Sequence, residues 1–380
     1  MNQTQPQYIL VEKYPDLCRI GAVLQKEEAI GVDLEADSMF HYQERVCLVQ
    51  ISTRTQNILV DPLAVKDVSP LTPVFADSRV RKVFHGADYD IRSLYRDFGI
   101  EVHSLFDTEI AARFLGFRET GLASLLRHMF GLIIEKKYQK RDWSQRPLPP
   151  PMSVYAAQDS SHLLTLSRLF EKKLRTKGLL FCVEEECEAL SKVRPGLRED
   201  SPLFLKFKGA GKLDSRSLAV LEALLRFRDD VARRRDLPPF KIVGNLPLLE
   251  MAQKKPVTPS KLMALRGLSP KQVKSLGQPL LERIREALNL PEEAPTYPRK
   301  PRPGYDHKVT RRIKALREWR EHHTGSLGID SALTLSNAQI RALALENLDH
   351  PHALEQMTEI KNWQKHLFGP EICALLKTIG

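Results

Sequence analysis

The sequence predicts an α/β domain on a mixed β-sheet, followed by two small all-α helical bundles. Three observations predict it. Short β-branched runs alternate with helical patterns in the first half, strand signals vanish after about residue 190, and the second half repeats itself at a fixed offset.

Residues 29–34 (AIGVDL), 46–52 (VCLVQIS) and 58–60 (ILV) read as successive strands joined by polar turns. Residues 80–84 (VRKVF) give a further strand, with a turn at His85-Gly86. From Tyr89 the spacing of Ile91, Leu94 and Tyr95 is helical. Residues 108–114, 122–130 and 154–170 read as three more helices, the last preceded by the Pro-rich stretch 146–151 (RPLPPP). Strands followed by alternating strands and helices imply a layered architecture with a mixed sheet.

In the second half, a shift of 92 residues superimposes two helical blocks without a gap. Leu224 meets Leu316, Phe227 meets Trp319, Arg228 meets Arg320, Leu248 meets Ile340, Leu262 meets Leu354 and Gly277 meets Gly369. Matching apolar positions predict the same bundle twice. Asn245 and Asn337 correspond, and each precedes an apolar run, so both are expected as helix N-caps. The expected organisation is residues 1–205, 212–290 and 308–380 as three domains, with 291–307 a Pro-rich linker.

Charge divides along the same line. Of 58 Lys and Arg and 47 Asp and Glu, residues 1–190 hold 24 basic against 26 acidic, and residues 191–380 hold 34 against 21. A net charge of −2 in one half and +13 in the other, +11 in all, implies that one part carries chemistry and the other holds a polyanion. The basic candidates are Arg226, Arg228, Arg233, Arg234, Arg235, Lys254 and Lys255, with Arg299, Lys300 and Arg302 in the linker. Each taken alone is an ordinary solvated charge. No apolar run approaches the roughly eighteen residues of a membrane span, and the N-terminus lacks a signal-peptide pattern. The five cysteines are scattered and odd in number, which points to a reducing compartment, and a cytoplasmic location is expected. No protein partner is evident.

The acidic residues carry the chemistry. Asp33 and Glu35 end an apolar strand, and period-2 alternation puts them on one face. Two carboxylates there repel each other unless a cation lies between them. Asp88 and Asp90 both stand where a strand and turn give way to a helix, and spacing does not choose between them. Tyr155 and Asp159 are four apart on a helix and share a face. Each feature alone has a bland explanation in solvation, capping or packing.

Together they form D-x-E on a strand, H-x-A-x-x-D at a strand-to-helix junction and Y-x-x-x-D on a later helix. This set resembles the DEDD exonucleases, in the subclass with tyrosine in the third segment, and within it the ribonuclease D family. Asp61-Pro62-Leu63, Phe106-Asp107-Thr108, Arg141-Asp142-Trp143 and Arg146-Pro147-Leu148 add to the likeness. The two repeats look like the HRDC domain, so the resemblance covers nearly the whole chain.

It implies a ribonuclease H-like exonuclease domain with Asp33, Glu35, Asp90 and Asp159 as metal ligands, and it selects Asp90 over Asp88. It further implies two divalent ions, Mg²⁺ or Mn²⁺, and Tyr155 orienting the attacking water. The expected activity is 3′→5′ trimming of RNA, with precursor tRNA or other structured small RNA as substrate. A DNA exonuclease and a non-catalytic nucleic-acid-binding scaffold are the alternatives. Hydrolysis through Ser160-Ser161-His162 is excluded, because these residues share one helical turn with no glycine elbow.

Overall fold

The computed structural model describes residues 7–134, 137–196, 201–289, 295–298, 306–327, 329–346 and 351–379. Six strands form one mixed sheet: β1 (Ile9–Val11), β2 (Ala29–Ala36), β3 (Val46–Ser52), β4 (Asn57–Val60), β5 (Arg81–Phe84) and β6 (Leu105–Asp107). Their order across the sheet is β1-β4-β3-β2-β5-β6. β2/β3 and β3/β4 are antiparallel, while β1/β4, β2/β5 and β5/β6 run parallel. Every residue of β3 is buried, which is why its sequence is almost uninterruptedly apolar. The three-residue edge strands β1 and β6 are too short to show a period and carry no local signal.

Helix Pro150–Ser161 crosses the sheet, packing on β2, β3 and β4. It is buried at Met152, Ser153, Tyr155, Ala156, Ala157 and Ser160. The expected single helix over 154–170 is in fact two, since His162 ends the first and Leu163–Thr176 forms the second. Gly31 of β2 lies at this break. A Cβ there would stand 3.0 Å from the Ser160 carbonyl oxygen and 3.2 Å from Leu163 Cβ, so a larger residue would push the helix off the strand that bears Asp33 and Glu35.

The chain divides into two compact units. One holds Met1–Ala36, Val46–Pro195 and Gly304–Gly380, and the other holds Asp37–Arg45 and Gly196–Pro303. The second helical repeat therefore shares a unit with the α/β domain. Trp363, 1% exposed, meets the Phe114 ring edge-on at 5.1 Å between centroids. Its indole N–H donates to Glu186 Oε1 at 2.8 Å. The Glu185 carboxylate accepts from the backbone N–H groups of Asn362 and Trp363, both at 2.8 Å. That carboxylate closes the positive end of helix Asn362–Ile379. Arg113 pairs with Asp330 at 2.8 Å. Cys182 and Cys187 are buried on helix Leu180–Ser191, which carries this contact.

The two repeats share polar details as well as apolar ones. Arg228 donates to the Val243 carbonyl (3.2 Å) and Asn245 Oδ1 (2.7 Å), and Arg320 donates to the Leu335 carbonyl (2.9 Å) and Asn337 Oδ1 (3.2 Å). Gln272 bonds the Ser269 N–H and the Ile242 carbonyl, and Gln364 bonds the Lys361 N–H and the Thr334 carbonyl. Two expectations change here. The caps are Gly244 and Ser336, one residue earlier than the asparagines. The asparagine side chains accept from arginine instead. The Arg228 guanidinium is thereby bound to a backbone carbonyl and partly desolvated, which leaves it less available than an exposed cation. Most of linker 291–307, including Arg299, Lys300 and Arg302, lies outside the described residues.

Candidate active site

Asp33 and Glu35 project from one face of β2, opposite Gln50 and Leu48 of β3. A bulge follows at once, between Glu35 and Ala36, so the regular ladder ends where the carboxylates stand. Helix Pro150–Ser161 brings Asp159 to the same face. Among the described residues, Asp33, Glu35 and Asp159 can each offer an oxygen so that all three lie within 4.8 Å of one another. The Tyr155 hydroxyl lies beside the Asp159 carboxylate and favours its charged form. Asp33, Tyr155 and Asp159 line a 360 Å³ cleft together with His85, Gly86, Glu109 and Gln139.

Asp90 lies outside the close triplet but near enough to repel Asp33 and Glu35. It is buried in the first turn of helix Asp88–Phe98, whereas Asp88 is exposed and bound by Arg92 at 2.9 and 3.0 Å. Asp90 thus belongs to the acidic centre and Asp88 to the surface.

The turn that delivers Asp90 is held by a residue the site prediction did not include. Asp107, 1% exposed, accepts from the N–H groups of Gly86 (3.0 Å), Ala87 (2.7 Å), Glu109 (2.7 Å) and Ile110 (3.3 Å). It caps one helix and ties down the start of another. Its position before Thr108 signals the cap; the bonds to the preceding loop have no local signal. Gly86 has φ of 73°, a left-handed conformation that favours glycine, and the Glu109 carboxylate lies close over it.

The electrostatics are those of like charges crowded out of water. Burial, then repulsion from Asp90 and Asp159, raises the Asp33 carboxyl well above its ordinary range. Burial, then repulsion from Asp33, does the same to Glu35. Asp90 is pushed up to about 8 by burial and by Asp107, and Asp159 to about 7 by burial. Burial and the nearby carboxylates raise the Tyr155 phenol further above its ordinary value. An all-carboxylate set of this kind fits Mg²⁺ or Mn²⁺, whose charge would offset the repulsion and whose preference is for oxygen. Across the ladder from Asp33, Gln50 is fully buried with neither amide atom partnered among the described residues, so polar capacity is left over beside the set.

A pH dependence follows. The folded chain holds these carboxyl protons to about pH 7–8, while an unfolded chain releases them near pH 4. Between those limits the folded state binds more protons, so the stability of metal-free protein falls as pH rises. We expect a melting temperature that declines from pH 5 to pH 8, and a larger stabilisation by Mn²⁺ at pH 8 than at pH 5. Thermal melts in EDTA and in Mn²⁺ measure both, and a flat metal-free profile would count against a crowded carboxylate centre.

Sheet order and carboxylate set together define a 3′→5′ exonuclease domain joined to two helical repeats. Residues 8–175 match the family described as 3′-5′ exonuclease, and residues 217–284 and 309–376 each match the HRDC domain. Ribonuclease D of Gluconacetobacter diazotrophicus is 29% identical over 378 residues, covering 97% of this chain and 93% of that one. The crystal structure of Escherichia coli RNase D, an exoribonuclease involved in structured RNA processing, aligns with a TM-score of 0.72 and 26% identity over 98% of this chain and 99% of that one. Protein RRP6-like 1 of Arabidopsis thaliana is 35% identical over 274 residues, 67% of this chain, and the chain spans 42% of that relative's length. The chain belongs to the ribonuclease D family of DEDD 3′→5′ exoribonucleases, with its HRDC domain in two copies.

Proposed function

We propose that this protein trims RNA from the 3′ end by two-metal-ion hydrolysis, releasing nucleoside 5′-monophosphates, and that it acts on precursor tRNA or other structured small RNA in the cytoplasm. The observation that carries the reading is the convergence of Asp33, Glu35 and Asp159 within 4.8 Å, with Tyr155 beside Asp159, in a cleft of the exonuclease domain.

In this reading Asp33 is the ligand shared by both ions, with Glu35, Asp90 and Asp159 completing the two sites; its place in the close triplet and its repulsion from Asp90 support it. Divalent ions bound there would stabilise charge on the attacking and leaving oxygens and lower the pKa of water. Tyr155 keeps its proton at neutral pH, because burial and the carboxylates raise its pKa. Its role is to orient the attacking water by hydrogen bonding, not to remove a proton.

Substrate grip falls to the basic second half. Arg226 pairs with Glu222, Arg233 with Asp229, Lys254 with Glu250 and Lys255 with Asp214. Arg234 and Arg235 end helix Ser215–Arg235 exposed and without an ion-pair partner among the described residues, so they are the most available for phosphate.

The test is a degradation assay with 5′-labelled RNA bearing a single-stranded 3′ extension, beside a DNA of the same sequence. The expected result is stepwise shortening from the 3′ end in Mg²⁺ or Mn²⁺, none in EDTA, and slower loss of the DNA. Equal or faster DNA degradation would move the substrate to DNA, and no shortening of either would leave the scaffold reading.

A further inference from the structure

Tyr155 is held by a segment that is itself neither helix nor strand. Residues 138–149 run from the cleft wall to helix Pro150–Ser161 and include turns such as the one at Asp142, which accepts from the Ser144 N–H and hydroxyl. The Trp143 ring, 1% exposed, lies 6.2 Å from the Tyr155 ring at 34°, and the Tyr138 ring lies 5.8 Å from it. These contacts fix the ring only if the segment that supplies them is fixed.

One side chain fixes it. Arg146 Nε and Nη2 donate to the two oxygens of Asp61 at 2.6 and 2.8 Å. Nη2 also donates to the Cys47 carbonyl at 2.7 Å, and Nη1 to the Trp143 and Gln145 carbonyls at 2.7 and 2.8 Å. The Asp61 side chain is 2% exposed and accepts in turn from the N–H groups of Leu63 and Ala64. Cys47 immediately precedes Leu48, the residue opposite Glu35. A single planar guanidinium thus ties the loop to a rigid helix cap and to the strand beside the D-x-E strand, in the fork geometry that lysine lacks.

We infer that Arg146 is a positioning residue for the exonuclease reaction: by locking the loop onto Asp61 and Cys47 it holds Trp143 and Tyr138 against Tyr155, and so sets the Tyr155 hydroxyl against Asp159. This rests on the role given to Tyr155 above. A merely structural Arg146 would lower stability and leave turnover of the folded fraction alone. A positioning Arg146 loses turnover through Tyr155, because a displacement near 1 Å at a reacting group can cost about 100-fold.

The experiment is a double-mutant cycle of Arg146→Lys and Tyr155→Phe on the full chain with labelled RNA in Mn²⁺. Near-ultraviolet circular dichroism of the metal-free proteins is recorded alongside. We expect Arg146→Lys to lower kcat roughly 10- to 100-fold with KM within about threefold. In the Tyr155→Phe background the same change should cost less than about threefold. The dichroism difference between parent and Tyr155→Phe should shrink when Arg146 is lysine. Multiplicative losses, or full turnover in Arg146→Lys, would overturn the inference. If the parent degrades no RNA, the proposed function fails, and the dichroism alone judges the inference: a preserved tyrosine signal sinks it and a lost one supports it. If Arg146→Lys does not fold, Trp143→Phe, which trims the stack and leaves the Arg146 bonds in place, carries the same cycle with the same two outcomes.

Discussion

Asp33→Asn should lower hydrolysis of RNA 3′ ends on the order of 1000-fold or more while leaving RNA affinity within about threefold. Asp33 lies in the close triplet and is repelled by both Asp90 and Asp159, so removing its charge perturbs the whole centre. Affinity is spared on the proposal that Lys and Arg of the second half grip the phosphates. A second effect runs the other way. Removing one of four crowded carboxylates relieves repulsion, so the metal-free variant should melt above the parent at pH 8. Turnover assays, filter binding and EDTA melts separate the three readings. Parental activity in the variant would remove Asp33 from the centre, and a lower metal-free melting temperature would show that it has a structural role.

Trp363→Ala should be the most damaging single change to stability. Trp363 lies in the second helical repeat, yet it is buried against Phe114 of the exonuclease domain and its indole N–H is bonded to Glu186. Truncation removes a large buried ring and leaves Glu186 without that donor, a loss of about 3–5 kcal/mol. For a unit of this size the melting temperature should drop about 6–15 °C. Because the residue is far from the carboxylates, kcat at low temperature should hold. The same contact means that a chain ending near residue 200 exposes Phe114 and its neighbours, so truncation tests the exonuclease domain's stability as much as its need for a binding tail. A Trp363→Ala protein that melts with the parent would refute a shared core.

Much of the site was legible because its signals are local. The alternation that aligns Asp33 with Glu35 and the helical turn that aligns Tyr155 with Asp159 are fixed by strand and helix geometry over two to four residues. The repeat was legible for the same reason, since equal spacing of apolar residues demands equal bundles. Local signals failed where two readings differed by a residue or a contact. Asn245 and Asn337 have good cap chemistry, but the caps fall at Gly244 and Ser336 because arginines 17 residues upstream claim the amides. A helix over 154–170 has an unbroken apolar pattern, yet it breaks at His162, where the chain packs closely on Gly31 of the neighbouring strand.

The sequence by itself determined the class of chemistry: four carboxylates and a tyrosine, in an order and context that belong to one exonuclease family, with a basic double repeat behind them. Tertiary structure decided what holds that chemistry in place. Asp107 reaches back 21 residues to the turn before Asp90, Arg146 reaches 85 to Asp61, and Glu186 reaches 177 to Trp363. Bonds across such separations depend on which faces the folded core leaves facing each other, and no periodicity in the chain encodes that.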